Sequence, residues 1–146
     1  MEEQQQLQIN ITAVFVAVGA NFVLGFLWYS VFFGKAWAKE LGMDMSVKPP
    51  ASVMFRGMAF MILGNFFLAY VFAHNIAAWT FVPGMVAEGK AFAVINAALF
   101  TWLGFYLPGD LSRVAWEKGT WKLFAINTIY HFVMVLIAAV ILTYMS

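Results

Sequence analysis

The residues with the means to do chemistry are few, and most of them are amides. Asn21, Asn65, Asn96 and Asn127 interrupt long uncharged apolar stretches, as do the two histidines, His74 and His131. A side chain that hydrogen-bonds is poorly placed against hydrocarbon, so each is expected to face another helix or a contact between subunits. Counted from the ends of their segments, Asn21, Asn65 and His131 fall near mid-bilayer, and Asn127 lies one turn before His131 on the same face. Asn21, Asn65, His131 and Asn127 therefore form the candidate midplane polar cluster. Two readings fit it: interhelical hydrogen bonding, worth about 0.6 kcal/mol per bond in membranes, or the handling of a small solute. A metal or haem shared by His74 and His131 is not expected, because the two lie about 13 Å apart in depth on helices running the same way. Asp44, Asp110 and Glu117 are expected near the membrane surface. None stands at a recognisable spacing from a histidine or a second acid, so no catalytic constellation is visible. Cysteine is absent, which removes disulfides, thiolate chemistry and cysteine metal sites. The sequence implies no cofactor and no metal.

The elements that must position these residues follow from composition. Of 146 residues, 64% are hydrophobic and only 10% charged, a balance that makes lipid the solvent and the bilayer the first partner. The net charge of +1 comes from dispersed rather than clustered Lys and Arg, which argues against a nucleic-acid partner. One transmembrane domain, residues 1–146, is expected, with helices at about 9–33, 54–75, 90–109 and 122–144. Pro83-Gly84 lies beyond the second helix, Pro108-Gly109 closes the third, and Thr120 caps the fourth. The acidic and amidic start, Met1 to Gln6, lacks the positive region of a secretory signal, so the first apolar stretch is read as retained. No expected span contains Asp or Glu, and Lys90 and Lys122 stand only at span ends, which argues against a proton-driven carrier without removing a passive pore.

Sidedness follows from Lys and Arg. Lys35, Lys39, Lys48, Arg56, Arg113, Lys118 and Lys122 share one side, and only Lys90 of the eight lies on the other. Loops 34–53 and 110–121 are accordingly expected in the cytoplasm and both termini outside. Each of these loops carries a short helix with one Trp, stopping at Gly42 or Gly119, and each is expected to lie in the interface. Sliding the chain by 79 residues lays Leu24-Gly25-Phe26 on Leu103-Gly104-Phe105 and Ala36-Trp37 on Ala115-Trp116, five identities in fourteen positions. A duplicated two-helix unit would relate the halves by an axis along the membrane normal. The expected fold is an all-α integral membrane protein with four transmembrane helices, two short cytoplasmic interfacial helices and a possible parallel duplication.

One run is recognisable. Gly25, Trp28-Tyr29 and Gly34-Lys35-x-Trp37 resemble the signature of a bacterial membrane protein family known as domain of unknown function 1761. Trp121 to His131 looks like that family's last helix, so the resemblance covers both ends of the chain. It implies a small multi-pass protein of the bacterial inner membrane, and no reaction, ligand or site residues. Physically, Gly25 allows close helix contact, Trp28 and Tyr29 sit at the membrane boundary, and Gly34 turns the chain so that Lys35 meets phosphates and Trp37 anchors. Such a motif serves as an interface anchor or frames the cytoplasmic mouth of a cavity. The expected role is a helix-packing homo-oligomer or an accessory subunit of a larger membrane complex, the alternative a channel or carrier for a small neutral solute. An enzyme is not expected.

Overall fold

The computed structural model describes residues 7–146; the start of the chain, on which the reading of a retained first segment partly rests, lies outside the described residues. Helix α1 (Ile11–Phe26) starts where the Asn10 side chain accepts from the Ala13 amide at 3.1 Å, and it runs on into a π-helical segment, Leu27–Phe32. After a turn at Phe33 comes the short helix α2 (Gly34–Glu40). Pro50 leads into α3 (Ala51–Trp79), and Pro83 opens the single turn α4 (Pro83–Ala87). Helix α5 (Lys90–Thr101) passes through a second π segment, Trp102–Tyr106, into α6 (Leu107–Trp116). Thr120 then caps α7 (Trp121–Tyr144), its hydroxyl accepting from the Leu123 amide at 3.1 Å, as the sequence predicts. Four helical stretches, Ile11–Phe32, Ala51–Trp79, Lys90–Trp116 and Trp121–Tyr144, are long and apolar enough to cross a membrane; at 1.5 Å per residue even the shortest reaches about 33 Å. The protein is an all-α membrane bundle.

Helices α1 and α7 form its centre, with α3 packed on α1 and α5 on α7. The buried stripe of α1, Ala13, Val14, Ala17, Val18, Asn21 and Gly25, follows the three-and-four spacing of one helix face. It meets Ala69 and Ala73 of α3 and Ala138 and Ala139 of α7 in one core. Small side chains suit this solvent, since lipid gives no hydrophobic drive and close backbone approach supplies the attraction. The outer faces carry exposed Phe55, Phe60 and Phe105, which in lipid is where large apolar side chains belong.

The Asn10 amide donates to the Met145 carbonyl at 2.6 Å, so α1 begins beside the end of α7. Lys90 lies at this same end, 5.6 Å over the Tyr144 ring. The up-and-down course of the helices gathers the other seven Lys and Arg at the opposite, basic end.

The third span departs from expectation. Pro108-Gly109 does not close it, and the segment expected as a separate interfacial helix is its continuation to Trp116. Proline normally breaks a helix because it lacks an N–H and its ring meets the carbonyl four residues back. Here the Leu107 amide reaches five residues back to the Trp102 carbonyl, so Pro108 sits in the first turn of a new α segment, where its missing donor is harmless. The end of α6 also differs: the left-handed residue is Lys118, at φ 54°, not Gly119. Gly119 is tightly packed, since a Cβ there would stand 3.2 Å from the Arg113 carbonyl oxygen.

Candidate functional site: a polar cavity at the basic end

The two π segments turn the side chains that follow them. Along the third span the inward positions are Val94, Ala97 and Ala98, then half-buried Thr101, then Tyr106 and buried Asp110. The Leu107 amide bonding five residues back to the Trp102 carbonyl is the mark of the π turn, which rotates the face by one residue. An unbroken α-helix would have carried Phe105 inward, yet Phe105 is 81% exposed and Asp110 only 4%. In the first span the Phe33 amide likewise bonds the Trp28 carbonyl at 2.8 Å, five residues back. Gly34 follows so tightly that a Cβ would stand 2.8 Å from the Tyr29 carbonyl oxygen.

Both segments dock on α7 through an indole. Trp28 Nε1 donates to the Ile126 carbonyl at 3.1 Å, and Trp102 Nε1 donates to the Thr128 carbonyl at 3.0 Å. Between them opens a cavity of about 460 Å³, lined by Tyr29, Trp37, Asp110, Arg113, Asn127 and His131 among others. His131 Nδ1 donates to Asp110 Oδ2 at 2.7 Å. A carboxylate only accepts, so Nδ1 carries the proton of this bond and, in the neutral ring, Nε2 keeps its lone pair. Arg113 Nη1 stands 3.8 Å from Asp110 Oδ1, an ion pair without a hydrogen bond. The Tyr106 ring covers His131 at 4.9 Å between centroids. Tyr29 donates its hydroxyl to Asn127 Oδ1 at 2.9 Å and meets the Trp37 ring edge-on at 5.3 Å. At the rim, Glu40 of α2 accepts from the Thr120 hydroxyl and pairs with Lys122 at 3.7 Å, fastening α2 to the start of α7.

The expectation that no acid pairs with a histidine is thus overturned by Asp110. Asp110 also lies on the long apolar helix of the third span, six residues before its end at Trp116, so that helix carries a buried carboxylate. The midplane cluster divides. Asn127 and His131 line the cavity; Asn21 and Asn65 are not among its walls. Asn21 is wholly buried with neither amide atom hydrogen-bonded, while Asn65 Nδ2 donates to the Met61 carbonyl of its own helix at 2.9 Å and its Oδ1 is unpartnered. His74 Nδ1 bonds the Tyr70 carbonyl at 2.8 Å. Among the described residues no group of three His, Asp or Glu is placed to hold a metal ion.

The recognisable motif lies on the same structure. A Cβ on Gly25 would stand 3.0 Å from the Tyr130 hydroxyl, Trp28 holds α7, and Tyr29 and Trp37 form cavity wall; Lys35 is exposed. In the sequence Asp110 reads as a lone surface carboxylate and Arg113 as one more basic residue of its loop, and Tyr106 gives no sign. The signal that pointed to them was Pro108-Gly109, taken as a stop when it marks a first turn.

Four helices of spanning length, with a carboxylate and an imidazole withdrawn into one end, make this a multi-pass membrane protein. The chain belongs to the family described as protein of unknown function (DUF1761), whose model matches residues 12–143 and so includes the middle of the chain. No curated protein and no solved structure matches it.

Proposed function

We propose that this protein binds and carries a small polar solute, which enters the cavity at the basic end. One observation carries the reading: a carboxylate in a membrane span, withdrawn from solvent and bonded to His131 at 2.7 Å beside an open cavity. Withdrawing a charge from water costs several kcal/mol, and ionisable groups inside membrane proteins mark solute or proton pathways. The pair also supplies the buried carboxylate that a proton-linked carrier needs. In proteoliposomes, uptake from a panel of labelled amines, amino acids and short carboxylates is expected to include a solute whose flux falls at least about tenfold in Asp110→Asn. Unchanged flux of every transported solute in a folded Asp110→Asn protein would sink the proposal.

A homo-oligomer or accessory subunit is the second reading, favoured by α3. From Ala51 to Gly64 its side chains are exposed except for half-buried Met58 and Met61, a long apolar face open to another helix. Native mass spectrometry of detergent-extracted protein should then show a dimer or higher species. Sidedness belongs to the same proposal: seven of eight basic residues at one end favour a bacterial inner-membrane protein with that end in the cytoplasm and both termini outside. Because the chain has no cysteine, Lys118→Cys and Ser146→Cys report cleanly. An impermeant thiol reagent on intact cells should label only the second.

A further inference from the structure

Resting on that reading, we infer that the cavity takes a small organic cation, an amine with an apolar body, in preference to an anion or a neutral analogue of the same shape. Charge comes first. Asp110 and Glu117 line the cavity and Arg113 is the only Lys or Arg among its walls, so acidic side chains outnumber the fixed cation two to one. Arg113 is a weak counter-ion, 3.8 Å from the carboxylate with its side chain 55% exposed, and water takes much of its field. The lysines of this end, Lys35, Lys39, Lys48 and Lys118, are exposed and screened by solvent, and Lys122 is engaged with Glu40.

Hydrogen-bonding capacity points the same way. His131 spends its Nδ1 proton on Asp110, Tyr29 spends its hydroxyl proton on Asn127, and Thr120 spends its own on Glu40. What these groups still offer the cavity is lone pairs, which suit an ammonium N–H donor. The donors left over are Arg113, the Asn127 amide and the Trp37 indole N–H, which water or a ligand oxygen can meet. The rings complete the fit: Tyr29 and Trp37, edge-on at 5.3 Å, stand in the wall, and π faces attract cations, tryptophan most strongly. A carboxylate ligand would instead face two carboxylates, and a neutral one would gain at most a hydrogen bond from them without the charge attraction.

The test uses the purified full chain in detergent, calorimetry, and three probes of one shape: benzylamine, benzyl alcohol and benzoate. Benzylamine should bind about tenfold more tightly than benzyl alcohol, and benzoate more weakly than either. Glu117→Gln changes an exposed residue and should leave the fold intact. It should weaken benzylamine about threefold and leave benzyl alcohol unchanged. Asp110→Asn should weaken benzylamine by about tenfold or more; should that variant not fold, Glu117→Gln carries the test alone. Benzoate binding most tightly, or all three probes binding equally, would overturn the cation assignment while leaving the cavity as a binding site. No saturable binding of any probe to normally folded protein would overturn it too, and the flux experiment then decides the carrier reading separately.

Discussion

The first and third spans end in much the same way and accomplish different things. Each passes from α- to π-helix near the basic end, and each fastens that end to α7 by an indole N–H on a backbone carbonyl, Trp28 on Ile126 and Trp102 on Thr128. Beyond the π turn the first span breaks at Gly34, and α2 folds back so that Trp37 lies on Tyr29. The third runs straight on through Pro108 and delivers Asp110 to His131, leaving Trp116 85% exposed. Trp37 and Trp116, which a shift of 79 residues superposes, therefore have opposite surroundings. The π segments do not superpose in that register either: Leu27–Phe32 would fall on residues 106–111, beyond most of Trp102–Tyr106. A common local device builds the aromatic wall in one place and supplies the charge in the other, and the residue that follows the π turn decides which.

The comparison can be broken most severely at Asp110. Asp110→Ala removes one partner of a buried pair and should cost about 3 kcal/mol in chemical unfolding monitored in detergent. Arg113→Ala, on the exposed side of the same carboxylate, should cost no more than about 1 kcal/mol. Next come the glycines of the two turns. A Cβ on Gly34 collides with the Tyr29 carbonyl, whereas one on Gly104 meets nothing within 4 Å. Gly34→Ala should lose about 2 kcal/mol and Gly104→Ala should be neutral or stabilising; comparable losses at both would remove the distinction drawn between the turns. Indole deletion should sharpen the similarity, since Trp28→Phe and Trp102→Phe are each expected to lose about 1 kcal/mol. The smallest effect concerns how the short helices end. Gly42 and Lys118 both have positive φ, 66° and 54°. Lys118→Gly should raise the thermal midpoint, with a gain of up to about 1 kcal/mol, and Gly42→Ala should lower it by a similar amount.

Much of the fold was legible because its signals are local. Uncharged runs of spanning length announce the four helices, Thr120 announces the start of α7, and the distribution of Lys and Arg announces which helix ends lie together. The motif from Gly25 to Trp37 was recognisable as a pattern, yet its part in a cavity wall was not, because Tyr29 and Trp37 acquire it only when α2 folds back at Gly34. Counting depth from helix ends brought Asn127 and His131 into view along with Asn21 and Asn65, and counting cannot separate those facing a cavity from those buried in a core.

The sequence by itself determined the membrane as solvent, the number of spans and the sidedness of charge, since each depends on residue types summed over a segment. Only the tertiary structure decided that Asp110 meets His131, across 21 residues of chain and a turn between helices. That meeting depends on a π turn, which rotates the face of α6 by one residue. A π turn has no fixed signature in residue type; here it coincides with the indole bond of Trp102 to α7 and closes just before Pro108.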